Sequence, residues 1–530
     1  MEKTLIKIKE NKIKCQNIMI ALILSAITLI ISKKCIQPQI FDMTKISNIK
    51  HIFIECIFFI AMSIFYSYIM NFINGIKDKN KYYSLWLKQF IIFAIINCIF
   101  LLLIWPGHWV WDEISVLESA TKSELNIWQS YITVIYYSMC MMLIPSAVGI
   151  TIIQSLFIAW VMSYVSTNLY MIYKKKTVSV ILYLVMLIPS IILNNLRPLR
   201  LQVYAYILLL TFAMIIFDKI RDKRLTVHRS LILFVLTSLL ILWRSEGLIF
   251  IIFIPALMLI TYNKKGMNYA KAILIVILNA IVLLGYNHAI NSIEPWTKQA
   301  GKKYGLTVYI NPLSQMIQED LKGKDIEKNL ENINKVFDLE ILKKYPSYVE
   351  IPAFWNEENL IRENFEENLS EFKKSYIKII LNNPASFLKA RMKTFLATCY
   401  YEGNIGTPNI SEDLLKTYNF TPAFNAKMKL NIEEFLSGSN IQTQGKNKII
   451  LYLFWDVLPV MIVCTFNIVV SLIKKRYEYL CIFLSLMCNC AIIFLTAPAN
   501  YFMYYFPMYV TGIIISIFFV LNLLEIREKH

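Results

Sequence analysis

Two adjacent carboxylates, Asp112 and Glu113, close a stretch in which three tryptophans fall within seven residues: Trp105-Pro106-Gly107-His108-Trp109-Val110-Trp111-Asp112-Glu113. A carboxylate held near a hydroxyl can take its proton as a general base. A pair of carboxylates can instead hold a divalent cation such as Mg or Mn through oxygen ligands, with His108 as a third ligand. Neighbouring positions on a helix diverge by about 100°, so one acid can face a cleft while the other supports it. The competing reading is a solvated interfacial loop, which the cost of dehydrating carboxylates at a membrane rim disfavours.

Arginines supply the complementary chemistry. Arg197 and Arg200 flank Pro198, and Arg244 and Glu246 share the turn Trp243-Arg244-Ser245-Glu246-Gly247. A guanidinium presents a planar fork that matches phosphate oxygens. Against this stand snorkelling of the arginines to lipid headgroups and simple pairing of Arg244 with Glu246. Two polar-aromatic clusters are further substrate-binding candidates: Trp128-Gln129-Ser130-Tyr131, and Ala497-Pro498-Ala499-Asn500-Tyr501-Phe502-Met503-Tyr504-Tyr505. Both also fit the aromatic belt of an ordinary membrane protein.

The elements that must position these groups are apolar helices. The chain has 530 residues, 57% of them hydrophobic, with a mean hydropathy of +0.51. Runs long enough to cross a core of about 30 Å fall near 16–32, 52–74, 87–105, 147–172, 177–194, 201–217, 229–243, 247–262, 271–290, 448–473, 479–496 and 502–524. The expectation is an all-α polytopic membrane protein of about twelve helices with a helical extracytoplasmic domain. Five parts are expected: N-terminal membrane helices over 1–105, a first outer loop over 106–146, a membrane core over 147–290, the extracytoplasmic domain over 291–446 and C-terminal membrane helices over 447–530. Tyr131 to Ile144 reads as an interfacial or re-entrant helix inside the first loop, because a span there would put the later basic loops outside. The segment after Asn383-Pro384, with Lys389, Arg391 and Lys393, reads as an amphipathic helix on the membrane surface.

The net charge of +18 points to topology, with no nucleic acid as partner. Between Asn291 and Lys446 there are 20 basic and 20 acidic residues, which leaves 34 basic and 16 acidic elsewhere. A neutral block beside basic loops is the positive-inside pattern, with the neutral block outside and both termini in the cytoplasm. Asp112, Arg197, Arg244 and the Ala497 turn then share the outer face. The ten cysteines form no disulfide framework or metal-binding pair. No cleavable signal peptide precedes Lys33-Lys34. The 14 glycines make no phosphate-cradling loop, which removes nucleotide-driven pumping.

Pro106-Gly107…Asp112, Trp128-Gln129-Ser130, Arg244…Gly247, Asn383-Pro384…Phe387-Leu388 and Ala497-Pro498…Tyr504-Tyr505…Pro507 together resemble bacterial members of the GT-C superfamily of membrane glycosyltransferases. The resemblance implies that the acid of the first loop is the base or a metal ligand, here Asp112, with Glu113 second. It also implies an arginine beside the tyrosine of the last outer turn. This chain carries Met503 there, which moves the phosphate-binding expectation to Arg244 or Arg197.

The function expected is transfer of a sugar from a polyprenyl-phosphate-linked donor to a glycan, lipid or protein acceptor at the outer face of the cell membrane, with inversion. Nucleotide sugars are cytoplasmic, so an outward site calls for a lipid-linked donor. The alternatives are a lipid-linked glycan flippase or transporter, and an O-antigen-type polymerase or ligase. Transporters place charges near the bilayer midplane and show internal repeats. Here the charges lie at the rim and no repeat stands out. A polymerase or ligase relies on paired arginines and histidine rather than on a leading acidic pair.

Overall fold

The computed structural model describes residues 2–41, 48–126, 129–293, 296–399, 420–438 and 447–529, with the side chains of 16–41, 49–126, 129–293, 296–399, 420–438 and 447–525. Among the described residues the chain is helical throughout, with two isolated bridges, Asn263 to Met267 and Phe337 to Ile361, and no strand.

Among the described residues, ten helices are long and apolar enough to cross a membrane: Gln16–Ile40, Ile49–Lys77, Lys81–Leu103, Ala147–Tyr173, Arg200–Ile220, Ser245–Tyr262, Tyr269–Ile293, Lys448–Ile473, Tyr477–Thr496 and Phe506–Glu525. A multi-pass membrane protein follows. Two of the twelve expected spans differ from the rest. The 177–194 run is a pair of helices, Lys176–Met186 and Pro189–Asn195, bent by 70° at the break. Pro189 sits at the start of the second helix, where its missing N–H costs nothing. The other, Val227–Trp243, has only 17 residues. Tyr131–Met141 is an 11-residue helix about 16 Å long, too short to span, as its interfacial reading requires.

The chain divides into two compact units. The first comprises Met1–Tyr206, Gly406–Leu436 and Leu521–His530; the second comprises Ile207–Ile405 and Ser437–Val520. The block expected as one outer domain over 291–446 is thus shared between them.

In the first unit the membrane helices are joined by polar groups facing one another, which in a bilayer replace the hydrophobic drive. Trp86 Nε1 donates to Ser163 Oγ (2.6 Å), Asn97 Nδ2 to the Ser155 carbonyl (3.0 Å), and Ser166 Oγ to Gln89 Oε1, while Ser166 and Ser179 pair through their hydroxyls. Asn80 starts the Lys81–Leu103 helix by accepting from the Tyr82 N–H. Pro106-Gly107 follows its end. Gly107 has φ +115°, and a Cβ there would lie 2.7 Å from the Leu196 carbonyl oxygen. Only glycine allows the loop to approach the 195–198 turn so closely.

In the second unit, residues 306–387 carry a hydrophobic core of their own, including Leu306, Ile310, Leu313, Phe337, Phe372 and Ile379. The expected surface helix forms as Pro384–Cys399, but Arg391 is not on its exposed side. It is 2% exposed, and its guanidinium donates to the carbonyls of Ala497 (2.9 Å) and Val308 (2.7 Å). The expectation fails because a guanidinium's apolar stem and fan of donors suit it to capping orphan carbonyls as well as to reaching headgroups. Asn311 Nδ2 adds a bond to the Pro498 carbonyl (2.7 Å), and the Asn500 N–H donates to the Val349 carbonyl (3.0 Å). The Ala497–Asn500 turn is therefore fastened to the folded block.

Replacing Arg391 with Met strands two buried carbonyls. It should lower stability by about 2–3 kcal/mol, measured by thermal unfolding in detergent. Lys393→Met, on the exposed side of the same helix, should stay within about 0.5 kcal/mol of the parent.

Candidate functional site

The first-loop acids open the Trp111–Thr121 helix, where negative charge meets the partial positive charge of unpaired backbone N–H groups. Val110 precedes it in extended conformation. Glu113 folds back: its Oε2 accepts from the Val110 N–H (3.0 Å) and its Oε1 from Arg197 Nε (2.5 Å). Glu113 is fully buried, so a single ion pair joins the first loop to the turn that follows the bent pair.

Five other hydrogen bonds close the same seam. The His108 N–H donates to the Leu196 carbonyl (2.9 Å), Thr151 Oγ1 to the Pro106 carbonyl (3.1 Å), and Gln154 Nε2 to the carbonyls of Asn195 and Arg197 (2.8 Å each). The Tyr137 hydroxyl donates to the Pro198 carbonyl.

Asp112 stands one position earlier and is half-buried. Among the described residues no hydrogen bond reaches its carboxylate. Burial first, and the adjacent Glu113 carboxylate second, push Asp112 above the usual carboxylate range; Arg197 and Arg200 pull in the opposite direction and do not cancel the rise. The two acids thus take different roles. Glu113 is committed to structure, while Asp112 keeps its oxygens for another group and holds a proton more readily than an ordinary aspartate. Trp111, beside it, is 58% exposed.

His108 is buried and sets Nδ1 3.1 Å from Glu433 Oε1. Lys429 Nζ donates to the Gly107 carbonyl (3.1 Å) and lies 3.9 Å from Glu433 Oε1. Burial lowers the Lys429 ammonium, and Glu433 partly opposes the shift. The Trp109 ring meets Phe420 edge-on at 5.0 Å. Nothing in the first-loop sequence announces these partners, because Glu433 is 325 residues from His108. The only trace is the i, i+4 spacing of Lys429 and Glu433 on an amphipathic helix.

Two of the three residues expected as ligands of a divalent cation, Glu113 and His108, have protein partners here. Glu113 is already paired with Arg197, and His108 already faces Glu433. Among the described residues no three His, Cys, Asp or Glu side chains gather as a metal site. Trp128 lies outside the described residues. Gln129, next to it, keeps a buried Oε1 with no hydrogen-bond partner among the described residues, so it can accept from a bound hydroxyl.

The second unit holds the other arginine. Arg244 is 7% exposed. Its Nε donates to Glu246 Oε1 at 2.6 Å, its Nη2 contacts the same oxygen, and its guanidinium carbon lies 6.0 Å from the Tyr504 ring centre. Asn489 Nδ2 fixes the turn through the Glu246 carbonyl (3.0 Å). The expected Arg244–Glu246 pair therefore forms, yet Arg244 Nη1 is buried with no hydrogen-bond partner among the described residues. A buried donor of this kind costs free energy until an acceptor satisfies it, and an oxyanion is the natural acceptor for a guanidinium. The Tyr501 and Tyr504 rings lie 5.8 Å apart in the same turn.

No protein-family model matches the chain, and neither a curated protein nor a solved structure does.

Arg197→Met should leave the Glu113 charge buried without a counter-ion and cost about 3–5 kcal/mol. Adding Glu113→Gln should recover a large part of that loss, since the buried charge goes with it. Denaturant unfolding of the three proteins reads the difference, and an Arg197→Met variant as stable as the parent would remove the pair from its place at the centre of this seam.

Proposed function

We propose that the chain is a membrane glycosyltransferase of GT-C-like architecture that moves a sugar from a polyprenyl-phosphate-linked donor to a hydroxyl of a cell-envelope acceptor. The reading takes the bent pair and the Val227–Trp243 helix as spans, giving twelve, with both termini cytoplasmic and the first loop outside. The excess of lysine and arginine in the alternate loops supports that orientation. One observation carries the enzymatic reading: a half-buried carboxylate with no hydrogen bond among the described residues, raised above its usual range and set beside two arginines, in the loop that follows an apolar helix.

In the proposed step Asp112 accepts the proton of the acceptor hydroxyl. The oxygen attacks the anomeric carbon, a new glycosidic C–O bond forms, and the bond from that carbon to the phosphate oxygen breaks. The electron pair leaves on the polyprenyl phosphate, and a single displacement inverts the anomeric centre. A positioned cation offsets the charge growing on the leaving phosphate. Arg200, whose charge acts on Asp112, is the candidate within the first unit. No metal is routed through the step.

Three measurements on purified protein in proteoliposomes, with a panel of synthetic polyprenyl-phosphate hexoses, test the reading through release of polyprenyl phosphate. Asp112→Asn should lower transfer by at least about 100-fold while the thermal transition stays in place; full activity in that variant ends the mechanism. The base works only when deprotonated, and its proton affinity is raised, so the acid limb of the rate should lie above the value near 4 of a free aspartate. Arg200→Gln removes a positive charge that favours the carboxylate and should move that limb to still higher pH. Chelation with EDTA should leave the rate unchanged, and loss of turnover restored by Mg or Mn would replace the arginine by a cation.

A further inference from the structure

The helix Ala426–Ser437 lies in the first unit up to Leu436 and is tied to the first loop by Lys429 and Glu433. At about 100° per residue, Lys429, Glu433 and the buried Leu436 form one face. That face meets Gly107 and His108. Met428, Ile432 and Phe435 form a second face, roughly a quarter turn to one side. Ile432 is half-buried at its edge, while Met428 and Phe435 are exposed, Phe435 at 63%. Phe424, just before the helix, is exposed as well. Lys427, Asn431 and Glu434, with the half-buried Leu430, fill the remaining arc.

A soluble helix with two such arcs would bury the apolar one. Here it is exposed, on a helix bonded to the loop that follows a membrane-spanning segment. The Lys81–Leu103 helix runs into the loop that this helix grips, and Ile95, Ile99 and Leu102 form an exposed apolar stripe along it. In a membrane-spanning helix that stripe is the lipid-facing side. Exposed Trp111 follows on the same loop, a residue type suited to the boundary between hydrocarbon and water. The 426–437 helix, with its exposed apolar face, is thus bonded to the loop that follows directly on a membrane-spanning helix.

We propose that Ala426–Ser437 is a membrane-interface helix, with Phe424, Met428 and Phe435 entering the lipid and the Lys429–Glu433 face holding the Pro106–Glu113 loop at headgroup depth. Such helices sink their apolar face about 5–10 Å into the boundary between headgroups and acyl chains. Asp112 is then kept at the level where the phosphate of any membrane-embedded lipid resides. The inference rests on the multi-pass membrane character of the chain and not on its enzymatic reading.

The full chain, reconstituted in nanodiscs containing an alkyne-tagged phospholipid, tests this directly. A photoreactive benzoyl-phenylalanine replaces Phe435, Met428, Asn431 or Leu102 in turn, and lipid adducts are counted after illumination. Each variant is first checked for an unchanged elution profile. Adducts at 435 and 428 should match those at 102, within the spanning helix, and exceed those at 431 several-fold. Adducts at 435 and 428 no more frequent than at 431, with 102 still labelled, would place the helix in water and overturn the proposal.

Discussion

The first unit depends on one buried ion pair. Glu113 has no access to water, and a lone carboxylate in that position would be expelled or neutralised. Arg197 supplies the counter-charge from a turn that can reach it only because the 176–195 segment breaks and bends. Gly107 lets the backbones touch, and Gln154 and Tyr137 hold the carbonyls around Arg197. The pairing of the first loop with the 195–198 turn is thus a consequence of having to satisfy one acid. Its neighbour benefits: with Glu113 fully engaged, Asp112 is set at a helix start with no hydrogen bond to its carboxylate among the described residues.

The second unit solves a similar problem with a cation. Arg391 is buried against backbone carbonyls, and through it the 497–500 turn becomes part of the folded block. Arg244 is paired with Glu246 and set against the Tyr504 ring. Each of the two buried guanidiniums keeps one nitrogen, Arg391 Nε and Arg244 Nη1, with no hydrogen-bond partner among the described residues.

How much of this could be read beforehand varies with the kind of interaction. The membrane helices were legible because each is a local property of some twenty consecutive residues. The first-loop acids were legible for the same reason: Pro106-Gly107, the tryptophans and Asp112-Glu113 sit within nine positions. The division of labour between the acids could be anticipated in outline from helical geometry, but which acid would be buried could not, since that depends on Arg197 arriving from 84 residues away. Arg391 was misjudged because spacing on a helix says which residues share a face and nothing about what covers that face. Glu433 and Lys429 were missed because their partners are loop residues more than 300 positions earlier. Charge counting read the 291–446 block as one neutral segment and had no access to its partition between two units.

The separation of Glu113 from Arg197 also has a meaning for biosynthesis. The acid emerges from the ribosome first, and its arginine follows 84 residues later. At about 5–20 residues per second, the carboxylate waits on the order of several seconds without a counter-ion. Meanwhile two more apolar segments must be handed to the bilayer. During that interval the loop can be kept only in water or protonated, so its final docking against the 195–198 turn is a late event, gated by translation rather than by the speed of helix formation.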